Sequence, residues 1–388
     1  MTWVAWRQFR TPALVTLGLF VAFALLVLLT GLHLRDVYNS VGGAHCDARG
    51  GCTAVAGHDK ALAQVLQPAL LVLPALLGMF WGAPLLAREL ESGTYRLAWT
   101  QSVTRRRWLL VKVALGGAAA LAVAGLASWL VSWWYAPLDH LNRISLEPTH
   151  FSERGIVAIG YAGFAFALGV AAGALLRRTL PAMIATLLGF VATRLAVTYL
   201  VRPHLLAARH ALLPLTFGQG VGLLAGPEGI TIYAGAPTIP NAWVLSTKLV
   251  DHAHHTLGSS QLHDLLARTC PTIAGPDAQY GKGPGFGGSA FESCLHAVSR
   301  HVQLLVAYQP PSHYWPLQAL ETAIFLAAAA ALIGATAWRL GRRPAPRPAV
   351  GESSQRAERP DAASEPGAEI DAPLVLLPDE RRRADEGS

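Results

Sequence analysis

The sequence predicts an all-α polytopic membrane protein with six transmembrane helices and a large, partly folded outer loop before the last helix. Three observations support this fold class. The chain is 52% hydrophobic and only 14% charged, whereas soluble domains average about 25% charged residues. Its apolar residues form long runs without charges, as membrane spans do. Its basic residues collect in alternate connections between those runs, which is typical of cytoplasmic loops.

Each of the six apolar runs reaches the roughly 20 residues that cross a bilayer as a helix. Because backbone polar groups must be satisfied internally in lipid, the runs are predicted to be helices. Spans one to five fall within 11–201 and span six within 315–338. The predicted spans are Thr11–Leu34, Ala61–Ala87, Val113–Ala136, Gly155–Leu176, Leu180–Val201 and Trp315–Trp338.

The segment 1–10 carries Trp3, Trp6 and Phe9 beside Arg7 and Arg10. Aromatic and basic side chains favour the headgroup region, so an interfacial helix is one interpretation and an unstructured start is the other. A cleaved signal peptide is disfavoured, because the apolar run that follows is too long and no small-residue cleavage site comes after it.

The distribution of basic residues predicts the orientation of the chain. They lie before span one, in the loop 88–112, in the turn between spans four and five, and after span six. The positive-inside rule therefore places both termini in the cytoplasm. We expect the protein to lie in the cell (plasma) membrane. The residues are Arg7, Arg10, Arg88, Arg96, Arg105, Arg106, Arg107, Lys112, Arg177, Arg178, Arg339, Arg342 and Arg343.

All four cysteines fall on the side that the charge rule calls outside, where disulfides persist. Four cysteines allow three connectivities. Proximity in the sequence favours Cys46–Cys52 and Cys270–Cys294. Four free thiols are the alternative, but exposed thiols outside the cell oxidise.

The segment 202–314 is too long for a simple connection. Its composition predicts a partly folded extracytoplasmic cap with Gly/Pro-rich stretches and a helix-like stretch over Asn241–Cys270. The segment 339–388 is rich in Pro, Ala and charged residues, and it cannot bury enough apolar surface to fold. We expect it to be a disordered cytoplasmic tail.

The sequence contains no catalytic or cofactor motif. The string from Gly275 to Lys282 departs from the spacing of a nucleotide-binding loop and is predicted to lie outside the cell. Neither a nucleophile elbow nor a zincin pair is present. The histidines 252, 254, 255 and 263 have irregular spacing, which favours a solvated helical face over a zinc site. We expect no enzyme activity, metal, cofactor or nucleic-acid partner for this chain.

The loop 88–112 is more elaborate than a connection needs. Glu89 and Glu91 cluster at the exit of span two, and Gly93 permits a sharp turn. A short helix over Thr94–Trp99 would carry Tyr95, Leu97 and Trp99. Thr100, Ser102 and Thr104 are helix-capping types. Arg105–Arg107 and Lys112 would hold the start of span three at the headgroups. This pattern is typical of a docking surface, although packing against the chain's own bundle is the alternative.

The loop resembles that of the type-2 ABC transporter permease family. The shared pattern is a Glu-x-Gly-Thr string, then Leu, Thr or Ser, and a basic run ending in Lys. Six spans and a long outer loop before the last span also match. The sequence departs from the family in two respects. The family often has proline where Ser102–Val103 stand, and its outer loop is usually a short helical hairpin, which is shorter than the loop here. The matching residues are Glu91, Gly93, Thr94, Leu97, Thr100, Arg105, Arg106, Arg107 and Lys112.

The resemblance implies a permease subunit of an ATP-driven exporter. A cognate ABC ATPase subunit would hydrolyse ATP, and a permease homodimer or heterodimer would form the path through the bilayer. The loop would be the helix that couples to the ATPase, with Glu89, Glu91, Gly93, Thr94, Tyr95, Arg96, Leu97 and Trp99 as candidate residues. A secondary transporter and a membrane-anchored sensor with an outer cap are the alternatives.

Two residue pairs inside the spans carry structural predictions. Arg194 and Glu321 are opposite in charge and similar in depth, so an intramembrane ion pair is expected. The alternatives are an arginine that snorkels alone and a protonated glutamate. Gly169 and Gly173, one turn apart in span four, predict close packing against another helix of the same bundle.

Overall fold

The structure is a computed structural model. It describes residues 2–40, 60–93, 105–142, 146–215, 221–226, 229–237, 239–271 and 289–342. The predicted disordered tail 339–388 lies outside these ranges from residue 343 onward, while its first four residues end the last helix.

In the described part of the chain, six helical segments are long and apolar enough to cross a membrane. This confirms the predicted number of spans, and they keep the names span one to span six. Their bounds are Gly18–Ser40, Pro68–Ser92, Arg107–Pro137, Val157–Leu176, Thr179–Leu205 and Pro311–Gly341.

Eleven α-helices, five strands and three short segments of other helix types make up the described fold. The α-helices are α1 (Thr2–Ser40), α2 (Lys60–Leu77), α3 (Ala83–Ser92), α4 (Arg105–Asn142), α5 (Pro148–Glu153), α6 (Val157–Leu176), α7 (Thr179–Ala196), α8 (Arg202–Leu205), α9 (Ser259–Thr269), α10 (Ser289–Ser299) and α11 (Tyr314–Arg342). The strands are β1 (Arg209–Pro214), β2 (Val221–Gly226), β3 (Gly229–Ala234), β4 (Trp243–Val250) and β5 (Gln303–Gln309). The other helical segments are the π turns Gly78–Gly82 and Val197–Val201 and the 3-10 turn Pro311–His313.

Beyond shifts of several residues at the ends of the spans, three features differ from the sequence prediction. The segment 1–10 is not separate, because α1 continues from Thr2 through the first span. Span five does not end at Val201, because a π turn leads into α8 and adds the four residues Arg202–Leu205. The short helix α5, between spans three and four, was not predicted. Helix α5 has only six residues, and these include two hydroxyl side chains and a histidine, so its sequence lacks the apolar pattern that would predict a helix.

Span four is the central helix of the bundle. It contacts spans two, three, five and six, and most of its side chains are buried. Its glycines allow close approach to span two. A Cβ added at Gly169 would collide with the backbone at Gly78 and Ala83, and one at Gly173 would meet the Ala83 carbonyl at 2.5 Å. The predicted close packing by Gly169 and Gly173 within one bundle is confirmed.

The outer segment forms an α/β cap. Three antiparallel strands lie in the order β1-β5-β4, and β2 pairs with β3 in a separate hairpin. Helices α9 and α10 cover the sheet, and the core between them includes Leu266, Val298 and Val306. The predicted helix over Asn241–Cys270 is wrong in its first half, which forms β4. The segment WVLSTKLV pairs with β5 because its β-branched residues suit a strand.

A disulfide joins Cys270, after α9, to Cys294 in α10, with Cα atoms 5.5 Å apart. Both cysteines belong to the cap core. The cap is also tied to the end of span five, since the Gln309 Nε2 in β5 donates to the Pro203 carbonyl at 3.3 Å and to that of Leu206, just after the span, at 2.9 Å. The predicted Cys46–Cys52 pair lies outside the described residues.

Candidate functional site

The two ends of the predicted coupling loop meet through an ion pair. Helix α3 ends at Ser92, and Gly93 follows with a φ of +73°, a left-handed conformation that favours glycine. Glu89 in α3 binds the Lys112 ammonium in α4, and both side chains are largely buried, with 15% and 8% exposure. Lys112 also lies 4.7 Å from the Trp108 ring centroid. Spans two and three are therefore fastened together where the loop leaves and re-enters the bundle.

Glu91 fastens the same end of span two to span five. Its carboxylate accepts hydrogen bonds from the Thr179 backbone N–H at 3.0 Å and from its hydroxyl at 2.7 Å. Thr179 opens α7, whose first backbone N–H groups have no partner within the helix. A carboxylate there satisfies a donor and suits the positive end of the helix dipole.

Glu89 and Glu91 were predicted to contact an ATPase, but both carboxylates bind partners within this chain. Glu89 contacts Lys112 in span three, and Glu91 contacts Thr179 at the start of span five. Gly93 is described and lies at the turn where α3 ends. The candidate residues Thr94, Tyr95, Arg96, Leu97 and Trp99 lie outside the described residues.

A groove of about 1470 Å³ runs beside this polar end, along span two. Its wall extends from Pro68 to Ser92 in that span, so it covers most of the bilayer thickness at 1.5 Å per residue. Spans one, three and five contribute the other walls. The lining is apolar except at one end, where the polar residues are Arg88, Glu89, Ser92, Lys112 and Thr179.

The π turn Gly78–Gly82 shapes the middle of the groove. It places Phe80 and Trp81 in the lining, while Gly78 and Gly82 face span four. A Cβ at Gly82 would meet the Phe166 carbonyl at 2.5 Å. This single turn therefore packs its glycines against span four and presents its aromatic side chains to the groove. π turns within α-helices are frequent at functional sites.

At the opposite end of the bundle, Glu321 forms a buried ion pair with Arg202 and not with Arg194. Arg202 Nε donates to Glu321 Oε2 at 2.7 Å, and its Nη2 donates to Oε1 at 2.9 Å. The two side chains have 1% and 0% exposure. The predicted Arg194–Glu321 pair is therefore wrong. Arg194 Nη1 instead donates to the Leu71 carbonyl at 2.7 Å, and its guanidinium lies over the Tyr161 ring.

The π turn before Arg202 explains the difference. It adds a residue to the last turn of span five and continues the helix, so Arg202 points into the bundle. The sequence prediction ended this span at Val201 and so assigned Arg202 to the outer loop. Tyr161 and Ser152 complete the cluster, since Arg202 Nη2 donates to both hydroxyls at 3.0 Å.

Helix α5 lies beside this cluster. Arg154, just after it, binds Asp139 in α4 and contacts the His150 ring nitrogen at 3.0 Å. Burial and the neighbouring Arg154 charge lower the pKa of His150. Gln318 in span six accepts from the Val157 N–H and donates to the Phe151 and Arg154 carbonyls. The ends of spans three to six that lie on the side of the cap are thus joined by polar contacts.

Residues 17–202 match the family model described as ABC-2 membrane transporter related. The match, over slightly less than half of the chain, supports an ABC-2 type permease. The match covers spans one to four, span five as far as Arg202, and the loop 88–112. No curated protein and no solved structure matches the chain.

The ABC-2 family match and the six apolar helices together support a multi-pass membrane protein of the transporter permease class. Two features of the candidate site were not predicted from the sequence, namely the position of Arg202 and the groove. Arg202 was missed because it follows the apolar run of span five. The groove was missed because it depends on how four separate spans pack.

Proposed function

We propose that this chain is the membrane-spanning permease subunit of an ATP-driven ABC exporter, coupled through the loop 88–112 to a separate ATPase subunit. ATP hydrolysis would take place on that partner. A homodimer or heterodimer of permeases would complete the translocation path. Both termini would lie in the cytoplasm, on the side of the loop. The ABC-2 family match is the observation that carries this proposal.

The geometry around the loop supports coupling. A loop that transmits force must be held firmly where it joins the bundle. Glu89–Lys112 fixes it to span three, and Glu91–Thr179 fixes span two to span five. A displacement of the loop would therefore move three spans together. Tyr95, Leu97 and Trp99 supply the apolar side chains that would contact the ATPase, since aromatic residues are enriched at protein interfaces.

The buried contacts at the outer end support a bundle that moves as a body. Arg202–Glu321 and Gln318 join spans four, five and six beneath the cap. Because breaking a buried ion pair is costly, these spans would stay together while the bundle changes its position. The groove along span two is the part of the described structure best suited to a path for substrate.

Co-purification from native membranes tests the proposal. The tagged chain should retain an ATPase subunit that carries a nucleotide-binding loop. The triple variant Tyr95→Ala, Leu97→Ala and Trp99→Ala should lose this partner while still inserting in the membrane. As a matched control, Leu212→Ala in β1 of the cap should retain it, since Leu212 is an exposed apolar residue on the other side of the bundle. If the triple variant retained the ATPase, the proposed docking role of these three residues would be wrong.

A further inference from the structure

We propose that the groove along span two binds an anionic amphiphile, with its acyl chains on the apolar walls and its phosphate-type head group at Arg88. This inference rests on the proposed permease function and names the substrate class for it. The amphiphile would enter sideways from the leaflet on the basic side of the protein.

The shape of the groove suits an acyl chain. Its walls include Leu73, Leu76 and Phe80 from span two, with Phe23 from span one and Met183 from span five. Its volume of about 1470 Å³ exceeds the roughly 300–1,000 Å³ of sites for drug-sized molecules. Long flexible chains fill such an extended apolar space, whereas a compact polar solute would leave most of it uncovered.

The charge at the polar end favours an anion. Within the lining, Glu89 and Lys112 neutralise each other as an ion pair. Arg88 adds a positive charge, and its side chain is exposed at the mouth. Thr179 belongs to the lining, and the two exposed arginines 177 and 178 come directly before it in the chain. Arginine binds phosphate in a bidentate manner, and basic pockets between transmembrane helices bind anionic head groups.

The apolar and polar ends lie on one continuous wall. Arg88 is separated from Trp81 by seven residues of span two, or roughly 10 Å along the helix. A head group at Arg88 therefore places its chains beside Trp81 and Phe80. This spacing gives the site a fluorescent reporter, because Trp81 lies in the lining.

Tryptophan quenching in reconstituted bilayers tests the proposal. The full chain is placed in bilayers of phosphatidylcholine and phosphatidylglycerol. In one sample the phosphatidylglycerol carries brominated acyl chains, and in the other an equal mole fraction of the phosphatidylcholine carries them. Subtracting the signal of Trp81→Phe isolates Trp81. We expect stronger quenching of Trp81 by the brominated phosphatidylglycerol, and Arg88→Gln should reduce that preference by roughly fivefold.

Three comparisons make the test decisive. Arg88→Lys should retain most of the preference, because it keeps the charge. Arg339→Gln should leave it unchanged, since Arg339 is exposed near the end of α11 and does not line the groove. Glycerol 3-phosphate in the bath should not relieve the quenching, because it lacks the chains.

Equal quenching by both lipids, or a preference unaffected by Arg88→Gln, would overturn the proposal and leave ordinary boundary lipid against the groove. Relief by glycerol 3-phosphate would also overturn it, since the head group alone would then suffice. The assay needs no ATPase. A failure here would therefore leave ATPase co-purification intact, and a failure of co-purification would leave the lipid preference intact.

Discussion

Arg202 at the cap end of span five and Glu321 in span six form a bidentate ion pair that is almost fully buried. Ser152 and Tyr161 bring hydroxyl groups from α5 and span four to the same guanidinium. Four elements therefore meet at one charge pair. Charges within membrane spans are costly unless they are paired, and here each charge has its partner.

Removal of either partner of this pair should destabilise the protein strongly. Arg202→Gln or Glu321→Gln leaves a buried charge, which costs about 3–5 kcal/mol. The double change Arg202→Met with Glu321→Leu should cost less than the sum of the single changes. Thermal unfolding of the purified protein in detergent measures this. The control Arg194→Gln should cost less, because the residue donates to one backbone carbonyl.

A charge swap between the residues first predicted to pair, Arg194→Glu with Glu321→Arg, should show no recovery over the single changes. Substantial recovery in that double variant would contradict the assignment of Arg202 as the partner of Glu321.

The contact between spans two and four should be sensitive to one methyl group. Gly169→Ala places a Cβ against the backbone at Gly78 and Ala83, which cannot move aside without separating the helices. Overpacking of this kind costs about 1–3 kcal/mol. Gly334→Ala in span six is the matched control, since no atom lies within 4 Å of its added Cβ. An equal response from the two variants in a detergent melting experiment would argue against this packing.

The cap should depend on its disulfide. The Cys270–Cys294 bridge closes a loop with a sequence separation of 24, for which chain entropy gives about 3 kcal/mol. The double variant Cys270→Ser and Cys294→Ser should therefore make the cap more susceptible to limited proteolysis. Intact-mass measurement after alkylation without reductant tests both predicted bridges. Alkylation of all four cysteines in oxidised cell envelopes would contradict both bridges.

The carboxylates at the base of the loop should act on coupling rather than on partner binding. Glu91→Gln weakens the contact with Thr179, and Glu89→Gln removes the ion pair with Lys112. The double variant should retain the ATPase in co-purification but transport less substrate for each ATP hydrolysed. Glu147→Gln is a control, since Glu147 is a half-exposed carboxylate before α5. Loss of the ATPase from the double variant would instead show direct contact.

The spans were predictable because lipid imposes a simple rule on sequence. A helix in hydrocarbon must be apolar over about 20 residues, and six runs satisfy this condition. The glycines of span four were also readable, since small residues one turn apart permit close packing. These features depend on local sequence alone, so no long-range contact was needed to find them.

The errors came from features that local sequence does not specify. The partner of Glu321 depends on a π turn at Val197–Val201, and no residue type marks such a turn. Strand β4 is an edge strand that pairs with β5, and β5 begins more than 50 residues later in the chain. The groove arises from four spans at once. Each feature is fixed by tertiary packing, which overrides local propensity.

ATP hydrolysis by the complex tests the central claim most directly. The ATPase that co-purifies with the wild-type chain is reconstituted in liposomes with that chain, with the variant Tyr95→Ala, Leu97→Ala and Trp99→Ala, or without any permease, and its hydrolysis of ATP is measured. We expect the ATPase activity to depend on the wild-type permease and to change when an anionic amphiphile is added to that complex, with the triple variant showing neither effect. ATP hydrolysis that is the same with the wild-type chain, with the triple variant and without any permease would contradict coupling through this loop.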